Sequence, residues 1–152
     1  DNDVTLKTGN SDTGFITITD GANQNITIAP NGTGETSFDD NPIANFSASI
    51  VNITAATTLS NSHNGKVLVC NRSDGSDVRL TITKNTLAAG FNCLIVQKGT
   101  DEIEIYENES EVTIYNNNNH TKTADQWAVM TLICIDATTD ANVFVTGGDG
   151  TS

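Results

Sequence analysis

Apolar residues along this chain alternate with Thr, Asn and Ser at a period of two, which is the pattern of a half-buried β-strand. The β-branched residues Thr and Val are frequent, and short breaks containing Gly or Asn separate the apolar runs. No segment keeps a helical period over several turns. The pattern predicts an all-β chain.

The N-terminal part of the chain, residues 1–42, differs from the rest because it contains a short repeat. Phe15–Thr19 and Asn25–Ala29 are two copies of one unit, and each copy is followed by a turn-forming string. Val4–Leu6 and Phe38 are candidate degenerate copies. Each unit has too few apolar side chains for a core of its own, so it needs to stack on neighbours or wind with other chains. Residues 1–42 are therefore predicted to form an extended β-repeat shaft or arm.

The rest of the chain is predicted to be a collar followed by a head. Residues 43–62 are the transition or collar, because the alternation changes phase between Ile50 and Ile53. Residues 63–152 are predicted to form a compact head domain, and their short apolar runs and tight breaks favour an antiparallel β-sandwich or barrel. Strands are expected near residues 66–70, 77–83, 92–98, 102–106, 111–115, 127–136 and 141–147.

The composition of the chain limits the classes of protein to which it could belong and the partners that it could bind. Hydrophobic residues make up 36% and aromatic residues 5% of the chain, so a single copy would bury a thin core, which favours association with other copies. The formal net charge of −12 makes nucleic acid and anionic membrane surfaces poor partners. No apolar run is long enough to predict membrane insertion. The chain begins with Asp1 and has no signal-peptide pattern, so we expect it to be a piece of a longer protein.

Cys70, Cys93 and Cys134 each lie within an apolar run that is predicted to be a strand. Their odd number and the absence of a Cys-x-x-Cys spacing argue against a disulfide framework and against a zinc site. We predict inert buried thiols, which suit a protein made in a reducing cytosol.

An acidic run is the sharpest charge feature of the sequence; it consists of Asp101, Glu102, Glu104, Glu107, Glu109 and Glu111. Clustered carboxylates suit a hard cation such as calcium, for which Glu104 and Glu107 are the candidate ligands. However, Glu102 and Glu104 alternate with Ile103 and Ile105, which places them on the wet face of a strand. We favour a solvated face and predict no metal and no cofactor.

A polar segment between two predicted strands is the candidate receptor contact; it consists of Asn116, Asn117, Asn118, Asn119 and His120. Amide side chains both donate and accept hydrogen bonds, which suits sugar hydroxyls. The alternative is an exposed hairpin tip without a ligand. Trp127 is able to stack on a sugar ring, but it opens an apolar run and is predicted to lie in the core. His63 and His120 are not surrounded by the spacings of a Ser-His-Asp or Cys-His site.

Several segments resemble predicted tail-fibre proteins of tailed bacteriophages, notably those of marine bacteria. Gly14–Gly21 followed by Gln24–Gly34 is similar to the shaft repeats of such fibres. A head domain that recurs in them resembles the second half of this chain, although Asn85-Thr86-Leu87 stands where Leu-Pro is usual. The segments that carry this second resemblance are Gly65–Val69, Thr86–Cys93, Gln97–Thr100, Thr123–Trp127 and Asn142–Asp149.

The resemblance implies a homotrimeric structural protein of the virion, synthesised in the host cytoplasm, that attaches to the host surface. Its implied partners are itself, other virion proteins and a host surface glycan. An enzyme is not expected: carboxylates are numerous enough for a glycosidase pair, but phage depolymerases generally carry a long grooved β-helix, for which this chain has no room. Two alternatives remain open: a capsid decoration or cement protein with an extended N-terminal arm, and a bacterial adhesin or surface-filament subunit.

Overall fold

The computed structural model describes residues 4–7, 15–18, 21–22, 26–30, 36 and 47–152. The chain divides into two compact units, Asp1–Phe46 and Ser47–Ser152. The described elements are strands apart from a short 3₁₀ helix at Asn61–His63, so the all-β prediction is confirmed. Within these residues no helix has the length and apolar character needed to cross a membrane.

The first unit contains three described strands: β1 (Val4–Lys7), β2 (Phe15–Ile18) and β3 (Ile26–Ala29). They form one antiparallel sheet in the order β1-β2-β3. The two copies of the repeat are therefore strands that pair directly with each other. A shaft made by winding with other chains stays a prediction, and Phe38 lies outside the described residues.

The second unit has two sheets. The six-stranded sheet consists of β4 (Ile50–Ile53), β6 (Lys66–Cys70), β8 (Asn92–Gln97), β10 (Val112–Tyr115), β12 (Val129–Thr138) and β13 (Ala141–Gly148). The five-stranded sheet consists of β5 (Thr57–Thr58), β7 (Val78–Ile82), β9 (Ile103–Glu107), β11 (Lys122–Thr123) and β14 (Gly150–Thr151). All the strands predicted between positions 66 and 147 are confirmed, with small differences at their ends.

The strand directions correct the prediction of an antiparallel sandwich. The six-stranded sheet has the order β10-β13-β12-β8-β6-β4 and the five-stranded sheet has the order β14-β11-β9-β7-β5. From β4 to β9 the chain crosses to the other sheet after every strand, so that neighbouring strands in this half are parallel. We call β4–β5, β6–β7 and β8–β9 the three coils. Alternation of apolar and polar residues is the same in both strand directions, so the sequence pattern alone could not distinguish them.

Residues 47–62, which the sequence assigned to a collar, belong to the same compact unit as the head. They supply β4 and β5, the edge strands of the two sheets. The phase change arises within β4, where Ile50 lies on the exposed face of the strand and Ile53 lies in the core, and it does not mark a separate segment. Residues 43–46 lie outside the described part of the chain.

The core lies between the two sheets and draws side chains from both. Leu68, Ile95 and Leu132 from the six-stranded sheet pack with Leu80 and Ile105 from the five-stranded sheet, and each is no more than 1% exposed. Burial of one such side chain stabilises the fold by about 1.5–3 kcal/mol. The three cysteines belong to the same core.

Turns of neighbouring coils are stacked and bonded to each other. The Oδ1 atom of Asn61 accepts the backbone N–H of Ala88 at 3.0 Å, and that of Asn64 accepts the N–H of Asn92 at 2.9 Å. These bonds join positions 27 and 28 apart in the sequence, which is about the length of one coil. They give acceptors to the N–H of Ala88, which lies in the turn, and to the N–H of Asn92, which begins β8.

Candidate functional site

The Asn-rich loop after β10 is held in shape by one side chain. The Oδ1 atom of Asn116 accepts the backbone N–H groups of Asn118 at 3.1 Å and of His120 at 2.7 Å. Its Nδ2 atom donates to the carbonyl of His120 at 3.0 Å. Asn119 takes a left-handed backbone with φ of 56°, which Asn tolerates better than most residues. The loop is therefore a closed turn whose outward side chains have defined positions.

This turn forms one wall of an open pocket with a volume of about 220 Å³. Gly147 and Gly148, at the end of β13, also line the pocket, together with Met130 and Thr146. Small-molecule clefts usually enclose about 300–1,000 Å³, so this pocket suits a single small polar ring or group. The candidate residues Asn116, Asn117, Asn118 and His120 all line it.

Two amides of the loop remain available to a ligand. Asn117 and Asn118 are exposed, and within the described part of the chain their side-chain amides make no hydrogen bond, because only the backbone of Asn118 is engaged. Each free amide offers two donors and an acceptor with two lone pairs. The pocket can therefore bind hydroxyl or acetamido groups without a charged contact.

Asp101, the first residue of the acidic run, holds a neighbouring turn in place. This carboxylate is buried, with its side chain 6% exposed, and it accepts three backbone N–H groups from the turn after β6. The donors are Asp74 at 2.9 Å, Gly75 at 3.1 Å and Ser76 at 3.3 Å. For Asp101 the prediction of a solvated face is wrong, because the turn of one coil closes over the carboxylate of the next.

Most of the other carboxylates of the run are also engaged by a neighbouring strand or turn. Four contacts are formed: Glu102 with Lys122 Nζ at 3.4 Å, Glu104 with Arg79 Nε at 2.7 Å, Glu109 with the Lys84 backbone N–H at 2.6 Å, and Glu111 with Lys84 Nζ at 3.0 Å. The hydrogen bond from Lys84 holds the pKa of Glu111 below its ordinary value.

The two candidate metal ligands are not brought together. Glu104 and Glu107 are separated by an odd number of positions on β9, so their side chains leave opposite faces of the strand. Glu104 is already paired with Arg79, whose guanidinium also lies 4.1 Å from the centre of the Tyr106 ring. Among the described residues no group of three or more His, Cys, Asp or Glu side chains is arranged to hold a metal ion.

The three thiols lie where the sequence predicted. Cys70, Cys93 and Cys134 are free and buried. Burial raises the pKa of Cys70 and of Cys93 to about 12, and it also raises the pKa of Cys134. At neutral pH the thiolate, which is the reactive form, is therefore scarce at all three positions.

The prediction that Trp127 lies in the core is wrong, because its side chain is 62% exposed. Trp127 is the third residue of the turn Asp125–Ala128, which is closed by the Ala128 N–H and the Asp125 carbonyl at 3.0 Å. Its φ of 71° is a value for which Gly or Asn is usual. Both Trp127 and Ala128 bond to Gln97, so the strand is bulged here and Ala128 is the residue that is buried.

No family model, no curated protein and no solved structure matches this chain.

Proposed function

We propose that this chain is a non-enzymatic structural subunit of a virion appendage, a tail fibre that attaches to the host surface by multivalent binding of a surface glycan. The observation that carries the proposal is the closed Asn116–His120 turn, which presents free amides at an open pocket. The resemblance of the repeat and of the head segments to phage tail fibres supports the same conclusion.

The chemistry of the pocket suits a saccharide. Sugars present uncharged hydroxyls that both donate and accept hydrogen bonds, as the amides of Asn117 and Asn118 do. A pocket of about 220 Å³ holds a single sugar residue and not an extended chain. Because Asn116 fixes the turn before a ligand arrives, binding requires little ordering of the backbone.

A site of this size binds one sugar weakly, and attachment therefore depends on several copies acting together. In a homotrimer, a second and a third head meet the surface at the effective concentration set by the first contact. Such linkage raises the overall affinity by about 10²–10⁴ without any new contact. The acidic surface of the rest of the chain limits non-specific adhesion to nucleic acid and to anionic lipid.

Sugar binding can be tested by NMR with the isotope-labelled chain and the methyl glycosides of glucose, galactose, mannose and N-acetylglucosamine. We expect at least one glycoside to shift the backbone resonances of Asn116–His120 and Gly147–Gly148. Gly147→Val should abolish these shifts, because a side chain at Gly147 meets no atom within 4 Å and would project into open space at the pocket wall.

Asn71→Ala is the matched control, since Asn71 is an exposed asparagine in a turn that does not line the pocket. This variant should bind the glycoside as the unmodified chain does. If no glycoside shifts the loop, or if Gly147→Val binds normally, sugar recognition at this pocket is refuted. Antibody labelling of native particles separates a fibre from a capsid decoration protein by the position of the label.

A further inference from the structure

The outer face of the six-stranded sheet is apolar over most of its area. The strand register places Ile50, Val67, Leu94 and Thr131 side by side in one row. The next row is Asn52, Val69, Val96 and Val129, and a third row is Asn92, Ile133, Val145 and Tyr115. These are the outward positions, because the residues that alternate with them belong to the core or pack against it.

Large apolar side chains on this face are open to solvent. Ile50 is 67% exposed, Tyr115 is 60% exposed, Ile133 is 41% exposed and Ile135 is 57% exposed. A shallow groove of about 230 Å³ lies beside Ile133 and is lined by Asn92, Cys93, Leu94, Thr131 and Ile133. The face therefore offers both projecting side chains and a depression that can receive one.

Charge is distributed very unevenly between the two sheets. The chain has 19 acidic and 7 basic residues, yet the outward positions of the six strands include a single charged residue, Asp136, at the bulge of β12. The five-stranded sheet instead has Arg79, Glu104 and Lys122 on its outer face, where Arg79 pairs with Glu104 and Lys122 with Glu102.

We propose that the outer face of the six-stranded sheet is the surface by which copies of this chain associate with one another. Because the chain has a net charge of −12, two copies repel each other over most of their surfaces. At this face two copies can make contact without bringing their acidic side chains together. A basic partner would be drawn to the acidic surfaces instead. A partner for this face must itself present an uncharged apolar surface, which a second copy does.

The size of the face is consistent with the centre of a stable interface. Six strands about 4.8 Å apart, each contributing roughly four to six residues at about 3.3 Å, give a footprint of roughly 400–500 Å². Apolar patches of about 300–600 Å² are the largest found on typical monomers and are often functional. A standard interface buries about 800 Å² per partner, so the flanking turns would complete the rim.

The inference rests on the proposed function only in that multivalent attachment needs several copies, and it names the surface that holds them together.

The association can be tested by light scattering after size exclusion. The protein concentration should range from about 1 to about 100 μM, which brackets a micromolar dissociation constant. The unmodified chain should have a mass of at least twice the 16.1 kDa of a single copy. Ile133→Glu should weaken association by at least about 100-fold, since an unpaired charge would be enclosed in the contact.

Thr58→Glu is the matched control because it adds the same charge at an exposed position of the five-stranded sheet, and it should leave the mass unchanged. If Ile133→Glu does not fold, Ile50→Glu on the edge strand repeats the test at a more exposed position. An unmodified chain that is monomeric at the highest of these concentrations overturns the inference, and so does undiminished association of a folded face variant.

The NMR titration separates this inference from the proposed function. A monomeric Ile133→Glu chain that still binds a glycoside supports both ideas. Association through this face without any sugar binding leaves the inference standing and refutes the sugar-binding site. If the chain binds a sugar but remains monomeric at every concentration, the sugar-binding site is supported and association through this face is refuted.

Discussion

Asp101→Asn should destabilise the second unit more than any other single change in the acidic run. The Oδ2 atom of Asp101 accepts the N–H groups of Asp74 and Ser76, and its Oδ1 atom accepts the N–H of Gly75. Asparagine has almost the same shape, but only one of its two terminal atoms accepts a hydrogen bond. Whichever way the amide turns, its NH₂ group faces at least one backbone N–H.

The expected loss follows from these bonds. One N–H without an acceptor in this half-enclosed turn costs about 1–3 kcal/mol. The bonds that remain lose their charge assistance, which roughly halves their strength. Together these effects predict a decrease of about 2–4 kcal/mol in the free energy of unfolding, and a melting temperature lower by roughly 10 °C for a unit of this size.

The measurement is urea unfolding followed by circular dichroism at one fixed protein concentration, since self-association would shift the midpoint. Glu107→Gln removes the same charge at an exposed position of the same run and should change stability by less than about 0.5 kcal/mol. A loss below about 0.5 kcal/mol for Asp101→Asn, which is the range of ordinary surface changes, would show that water replaces the carboxylate and that the turn does not depend on it.

Three further changes test other parts of the structure. Cys70 and Cys93, with pKa values raised to about 12, should react with a thiol reagent at neutral pH only as fast as the second unit unfolds; immediate labelling of the native chain would contradict their burial. Calcium and sodium should stabilise the chain equally at matched ionic strength, whereas a calcium-specific rise in melting temperature that Glu104→Gln or Glu107→Gln removes would reveal a cation site. Trp127→Asn should change stability by less than about 1 kcal/mol, because Asn suits the positive φ; a loss of about 3–5 kcal/mol, as for a core Trp, would refute the exposed position.

The positions of the strands could be predicted from the sequence because each of the longer strands has one face in the core. Leu68 and Cys70, or Ile103 and Ile105, alternate with less buried residues over enough positions to show the period. The strands β5, β11 and β14 are each too short for any period to appear. The direction of each strand could not be predicted from the sequence either, because it depends on where the connections cross between the sheets and not on the pattern within a strand.

The candidate site was predicted in part. The Asn116–His120 segment could be recognised from its composition, but the pocket is also lined by Gly147 and Gly148, which no local pattern connects to the loop. Parallel pairing of β10 with β13 brings these segments together. The position of Trp127 was predicted wrongly because the bulge opposite Gln97 changes the phase of the strand at this point.

The parallel coils also explain why the acidic residues are concentrated in one stretch of the chain. Asp101, Glu104 and Glu109 each contact a group 25 to 27 positions earlier, in the coil beneath. In a stack of parallel coils, every group in one strand or turn has its neighbour about one coil away in sequence. Four of the six carboxylates in the run therefore contact N–H groups or cations of the second coil or of the turn that follows it; they are Asp101, Glu104, Glu109 and Glu111. Much of the strongest charge feature of the sequence therefore contributes to the fold, and binding is proposed instead at the uncharged sheet face and at the amide pocket.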